Sequence, residues 1–160
     1  MLLTDLNAIS PIDGRYRSKI KSLSNYFSEQ ALIKFRLMVE IEYFISLCKI
    51  PLQQLSNFDQ SIFNNLREIY EIFNSENARE VKQIEKKTNH DVKAVEYYLK
   101  KEFDKLNLGN YKEFIHFGLT SQDINNTAIP LLIKESINEI YLPQLNKVLK
   151  LMTSLSNKYK

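Results

Sequence analysis

Apolar positions recur at helical spacing over most of this chain. Between Ser28 and Lys49 they are nearly continuous, with Leu32, Phe35, Val39, Ile41, Phe44, Ile45 and Leu47 set against a narrow polar side of Lys34, Arg36, Glu40 and Glu42. That pattern predicts a largely buried helix, ended by Pro51. Behind Asp59, a residue suited to capping, Ile62, Leu66, Ile69 and Phe73 keep a three-and-four spacing. Ser75 is placed to cap a third helix, Glu76 to Lys86, charged over most of its surface. The clearest face belongs to a fourth helix, where Val92, Val95, Leu99, Phe103 and Leu106 step by helical intervals. Residues 107–112, with Gly109, read as a loop, followed by a short segment, Glu113 to Phe117, and a turn at Gly118.

A long apolar periodicity then runs from Ile124 through Leu131, Ile137, Leu142, Leu145 and Leu149 to Met152, with Pro130 and Pro143 expected to kink or interrupt it. At the other end, residues 1–24 lack helical periodicity, and Ser10-Pro11-Ile12-Asp13-Gly14-Arg15-Tyr16 reads as an irregular turn. The terminal stripe has too few partners here. A helix of about 35 residues is about 50 Å long, whereas a compact unit of about 110 residues has a radius of gyration near ~13 Å. Much of the stripe is expected to pack on something outside these residues.

Composition supports an all-α chain. Only three glycines, Gly14, Gly109 and Gly118, occur in 160 residues, fewer than the turns of a β-rich domain require. Their wide separation also excludes a glycine-rich phosphate loop. With 44% hydrophobic and 26% charged residues the chain can build a core. A net charge of +3 is too balanced for a dedicated nucleic-acid binder. No apolar run approaches the ~20 residues of a membrane span, and the N-terminal residues do not form a signal peptide. The single cysteine, Cys48, rules out an internal disulfide framework and a cysteine-rich zinc site. Its apolar neighbours make it a core residue, and a reducing cytoplasm is the expected compartment.

Four places combine polar chemistry with helix starts or turns. Thr88-Asn89-His90-Asp91 directly precedes the fourth helix; Asn89 or Thr88 can cap it, Asp91 suits the positive end of its dipole, and His90 is left as either a bystander or a site residue. Thr120 followed by Asp123 forms a variant capping box, and the same geometry offers first-turn amides and the Thr120 and Ser121 hydroxyls to an anion. Arg15-Tyr16 is either a solvated loop arginine beside a half-buried tyrosine or a phosphate contact. His116, between Phe114 and Phe117, is either a core histidine or a site residue. The lysines at 82, 86 and 87, interleaved with Glu80 and Glu85, read as a solvated face.

Three stretches, in order, closely resemble the bacterial type of the adenylosuccinate lyase family, within the fumarase/aspartase superfamily. They are Ala8-Ile9-Ser10-Pro11-Ile12-Asp13-Gly14-Arg15-Tyr16, Thr88-Asn89-His90-Asp91-Val92-Lys93-Ala94-Val95-Glu96-Tyr97-Tyr98-Leu99, and Phe114-Ile115-His116-Phe117-Gly118-Leu119-Thr120-Ser121-Gln122-Asp123-Ile124-Asn125-Asn126. The last holds the Thr-Ser-x-Asp element shared among several superfamily lyases; the first two are more specific to this family. The resemblance spans essentially the whole chain.

That resemblance implies β-elimination: adenylosuccinate cleaved to AMP and fumarate, and SAICAR, the succinylated carboxamide ribotide of purine synthesis, cleaved to AICAR and fumarate. A base removes a proton from the succinyl Cβ and an acid protonates the departing nitrogen, around a carbanion stabilised by its neighbouring carboxylate. No metal or organic cofactor is implied. Arg15 and Tyr16 then correspond to nucleotide contacts, above all to the phosphate. Asn89, His90 and Asp91 correspond to a substrate-binding segment in which His90 supports acid/base chemistry, and Thr120 and Ser121 to ligands of a succinyl carboxylate. His116 remains a possible contact.

The family's Thr-His-Gly-Gln segment, which carries a histidine assigned as the acid, and its Ser-Ser-x-Met-Pro loop, which carries the serine base, are both absent from these residues. The chain is therefore expected to be the first third of the enzyme and inactive alone. Residues 1–112 would be an N-terminal helical domain and 113–160 the first long helix of a central helical bundle, in a protein that assembles as a homotetramer. The rival readings are a non-catalytic helical interaction remnant and another superfamily lyase with a different substrate.

Overall fold

A computed structural model describes residues 3–160; the first two residues of the N-terminal stretch lie outside it. Among the described residues there are helices and turns and no strand, in keeping with the all-α expectation. The α-helices are α1 (Asp13–Ile20), α2 (Ser24–Phe27), α3 (Glu29–Cys48), α4 (Phe63–Glu71), α5 (Ser75–Thr88), α6 (Asp91–Lys105), α7 (Ser121–Ser136) and α8 (Leu142–Lys158).

Helix α3 is the central element, which is why its sequence is apolar nearly all round. Its side chain cap is Ser28, whose hydroxyl accepts from the Ala31 amide at 3.2 Å. On one side Leu37, Ile41 and Phe44 enter the main core with Leu66 of α4, Val81 of α5, and Val95, Leu99 and Phe103 of α6. Phe44 meets Phe58 and Phe103 edge-to-face, with centroids 5.2 and 5.0 Å apart. Such contacts add about 0.5–1.5 kcal/mol to the gain from burial alone. On the other side Phe35 packs with Ala128 and Leu132 of α7 in a second, smaller core.

Two charged side chains assigned to the polar side of α3 are in fact buried. Arg36 is 5% exposed and Glu40 fully enclosed. They lie one turn apart, on the stripe that also carries Ile33, Leu37 and Phe44, so helical spacing itself carries them inward. Each reaches a polar partner there, as burial of a charge requires.

The N-terminal stretch is more helical than its sequence suggests. Asp13–Ile20 forms α1, held by polar contacts that hydrophobic periodicity does not register. The Asp13 carboxylate, 3% exposed, accepts from the amides of Ile9 and Ser10 and pairs with Arg17 one turn on, at 2.7 Å. Those two amides are what chiefly hold its carboxyl below the usual range. Arg17 also donates to the Asn7 carbonyl at 3.0 Å, tying α1 to the preceding loop.

Three boundaries shift for local reasons. The cap of α5 is Asn74, not Ser75, because Asn74 and Asn77 form a reciprocal capping box. Helix α6 is capped by His90 rather than by Asn89 or Thr88. Residues Gly109–Phe114 are a 3-10 turn rather than an open loop joined to a separate segment. Asp59 does cap the turn leading into α4, accepting from Ser61 at 2.9 Å.

The C-terminal rod, residues 121–158, is about 57 Å long at 1.5 Å per residue. Pro130 sits inside α7 without ending it. Ahead of Pro143 the backbone widens into a π-helical turn, Ile137–Tyr141, where an α-helix would press the proline ring against the Glu139 carbonyl. The rod's first half lies on α3, but every residue of α8 is exposed, Leu149 by 51% and Met152 by 62%. The unpartnered apolar stripe expected from the sequence is therefore present.

Candidate functional site

The first site segment lies at the α5–α6 junction. Asn89 ends α5 in the left-handed region, φ 52°, with its amide bonded to the Glu85 carbonyl at 2.7 Å; asparagine tolerates that conformation better than most residues. The reversal puts His90 in extended backbone at the cap of α6, where its Nδ1 accepts from the Lys93 amide at 3.1 Å. A ring nitrogen here does what a serine or asparagine oxygen does at most caps. Asn89 and His90 are exposed, and with Asp91, Glu29, Lys82 and Glu85 they border an open cleft of about 560 Å³.

The second segment leads into α7. The Asp123 carboxylate accepts from both the amide and the hydroxyl of Thr120, each at 2.7 Å. Those bonds hold its carboxyl below the usual range. The capping box read from the sequence is thus formed, and it occupies the Thr120 hydroxyl. Ser121, the first residue of α7, makes no side-chain hydrogen bond to another described residue; the Asp123 and Ile124 amides donate to the Thr120 carbonyl at 3.1 and 3.4 Å, which leaves the Ser121 and Gln122 amides as the first-turn donors that the helix itself does not use.

Arg36 joins these two segments. Its Nη2 donates to Asp91 Oδ2 at 2.7 Å and its Nε to Asn125 Oδ1 at 3.0 Å. One buried guanidinium in the N-terminal half of α3 thus holds the first residue of α6 and the second turn of α7. Partial burial alone would push the Asp91 carboxyl up, but the Val92 amide and the Arg36 charge together bring it below its ordinary range.

His116 is neither a plain core histidine nor a free one. It stands in the left-handed region, φ 60°, two residues before Gly118 at φ 70°, a costly conformation for a ring-bearing residue. Glu40 holds it there: one carboxylate oxygen lies 2.5 Å from His116 Nδ1, and the other accepts from the His116 amide at 3.2 Å. Burial pushes the Glu40 carboxyl up, against the contact with His116. Next to it, Phe117 is fixed through its carbonyl, which accepts from the Tyr43 hydroxyl at 2.8 Å.

The structure does not bring Arg15 and Tyr16 into this arrangement. Both are exposed on α1, with the guanidinium 5.5 Å from the centre of the Tyr16 ring. The loop before them, Ala8 to Ser10, borders a groove that shares Glu29 with the cleft beside His90. Cys48 is buried as expected, and burial raises its thiol to about 11. Lys82 is less solvated than the sequence suggests, pairing with Glu29 and Glu85 at 2.9 and 2.6 Å. Among the described residues no group of three or more His, Cys, Asp or Glu side chains converges as a metal ion would require.

Sequence reasoning did not single out Arg36, Glu40 or Asn125. A signal for the first two was available: charged residues four apart on the apolar stripe of a buried helix need partners. Nothing in the sequence names those partners.

Known proteins similar to this chain identify its family. A family model described as "Lyase" matches residues 14–160. The adenylosuccinate lyase of Dictyostelium discoideum is 54% identical over 151 residues, covering 91% of this chain and 32% of that protein. The adenylosuccinate lyase of Legionella pneumophila (strain Corby) is 45% identical across 99% of this chain and 35% of its own length. That of Buchnera aphidicola subsp. Schizaphis graminum is 43% identical across the whole chain and 36% of its own length. The chain spans about a third of the length of the curated relatives it matches. With the family model matched over nearly all of its residues, this chain belongs to the lyase family.

Proposed function

We propose that this chain forms part of an adenylosuccinate lyase, which cleaves adenylosuccinate to AMP and fumarate, and SAICAR to AICAR and fumarate, by β-elimination. The observation that carries this reading is the Arg36 bridge, which sets the starts of α6 and α7 side by side. Two helix N-termini with attached hydroxyl and imidazole groups suit a substrate bearing a phosphate and two carboxylates. Thr120 and Ser121 would hold a succinyl carboxylate, Asn89, His90 and Asp91 would orient the substrate, and Arg15 and Tyr16 would meet the nucleotide phosphate from α1.

The reading gives these residues binding and orienting roles. The proton-transfer groups would come from segments outside this sequence, in a cytoplasmic homotetramer whose shared helical bundle covers the stripe of α8. Residues 1–112 would then be the helical domain and 113–160 the start of the bundle. The reaction as proposed uses no metal or organic cofactor.

Fumarate release tests the proposal. The chain alone should show no turnover of adenylosuccinate, whereas a protein continuing past Lys160 with the family's histidine and serine segments should turn it over. Substitution of Asn89 or His90 in that longer protein should abolish substrate binding. Turnover by the chain alone, or unchanged binding in those variants, would overturn the reading. The exposed stripe of α8 also suits a non-catalytic interaction module, and a natural stop after Lys160 would favour that alternative.

A further inference from the structure

The two histidines of this chain set the same ring nitrogen against opposite partners, a backbone N–H at His90 and a carboxylate at His116. At His90, Nδ1 faces a backbone N–H and must accept, so a neutral ring carries its proton on Nε2. At His116, Nδ1 lies 2.5 Å from a carboxylate oxygen that can only accept when ionised. The same carboxylate also takes the His116 amide proton, a bond that favours its ionised form. The neutral His116 ring therefore carries its proton on Nδ1 and leaves a lone pair on Nε2.

Both Nε2 atoms are accessible. Neither has a hydrogen-bond partner among the described residues, and no polar side-chain atom is both buried and unsatisfied. His90 is half exposed, while the His116 side chain is 17% exposed.

We propose that Glu40 is the positioning residue of His116, fixing it as a hydrogen-bond acceptor at Nε2, while the cap of α6 fixes His90 as a donor at Nε2. The two rings then read different chemistry. His90 addresses an anionic group, a carboxylate or phosphate oxygen, and His116 addresses a hydroxyl or N–H. The assignment of these ligand groups rests on the proposed function; the two tautomers do not.

Long-range proton–nitrogen NMR of the 15N-labelled chain tests this, because there are only two histidines to assign. At about pH 8.5, roughly two units above the ordinary histidine value, His90 should show its proton on Nε2 and His116 on Nδ1. Glu40→Gln retains an acceptor and should keep the His116 pattern. Glu40→Leu removes it and should shift His116 toward the other tautomer, leaving His90 unchanged. A purely structural Glu40 would lower thermal stability in Glu40→Leu without changing either ring. The same tautomer at both histidines of the native chain would overturn the proposal, as would an unchanged His116 pattern in Glu40→Leu. Should Glu40→Leu fail to fold, the native spectrum alone decides. Because no substrate is present, failure here is distinct from failure of the proposed activity, which the fumarate assay reads.

Discussion

The guanidinium of Arg36 lies 2.7 Å from the Asp91 carboxylate, a residue 55 positions further along the chain. The pair is asymmetric: the Arg36 side chain is 7% exposed and that of Asp91 48%. Removing either member therefore has different consequences, since only one of the remaining charges would be stranded away from water.

That asymmetry orders two substitutions. Asp91→Ala leaves a buried guanidinium without its counter-charge and should cost about 3 kcal/mol. Arg36→Met fills much of the same space and leaves Asp91 free to be hydrated, so its cost should be about 1–2 kcal/mol. Urea denaturation of both variants measures the order. If Arg36→Met proves the more damaging, the stranded-charge argument fails.

Glu42 connects α3 to α4, receiving Arg67 Nε and Nη2 at 2.7 and 2.9 Å and the Tyr70 hydroxyl at 3.0 Å. The Arg67 hydrogen bonds chiefly lower its carboxyl. A lowered folded-state value means stability that is present above the unfolded value, about 4.3, and lost as pH falls through the folded one. Glu42→Gln should therefore be less stable than the native chain at pH 7, by under about 1 kcal/mol for so exposed a pair. The difference should shrink below about pH 4, and denaturation midpoints at pH 7 and 3 would show it. A difference that stayed constant would assign the effect to shape rather than charge.

Tyr70 sets the opposite limb. Burial chiefly raises its phenol to about 12. A raised folded-state value leaves stability intact below the unfolded value, about 10, and removes it as pH rises through the folded one. Tyr70→Phe should accordingly flatten the loss of stability between about pH 10 and 12, measured by thermal unfolding across that range.

Cys48 is buried in α3 and its thiol is raised to about 11 by that burial. At pH 8 it should react with an aromatic disulfide reagent only when the helix opens. Modification should be at least a hundredfold slower in the native chain than in urea, a factor that corresponds to an opening free energy of about 2.7 kcal/mol. Equal rates would show that α3 is not protected.

The exposed stripe of α8 predicts substitution without penalty. Leu149→Lys and Met152→Lys should change folding stability by no more than about 0.5 kcal/mol, because neither side chain is buried within this chain. They should also reduce concentration-dependent self-association, measured by sedimentation. A large loss of stability would show that α8 folds back onto the preceding helices.

Helical spacing makes α3, α4 and α6 readable, because each buries a stripe against its neighbours and repeats apolar residues accordingly, whereas α5 is legible from its capping residues and charged surface. Helix α1 was hidden for the converse reason: Asp13 and Arg17 hold it through hydrogen bonds to Ile9, Ser10 and Asn7, and no apolar stripe marks it. Charge ordinarily marks an exposed position, and Arg36 and Glu40 depart from that rule because their places on the helix point inward.

An all-α chain, an unpartnered C-terminal stripe, a capping box at Thr120 and Asp123, and three motif segments are all legible in the sequence. Those properties are local, set by residues within a turn or two of each other. Folding is what joins Arg36 to both Asp91 and Asn125, seats His116 against Glu40, and leaves Arg15 and Tyr16 apart from that arrangement. Such contacts link residues 55 to 89 positions apart. Which distant groups meet depends on how α6 and α7 pack around α3, and a single sequence does not encode that packing in any local pattern.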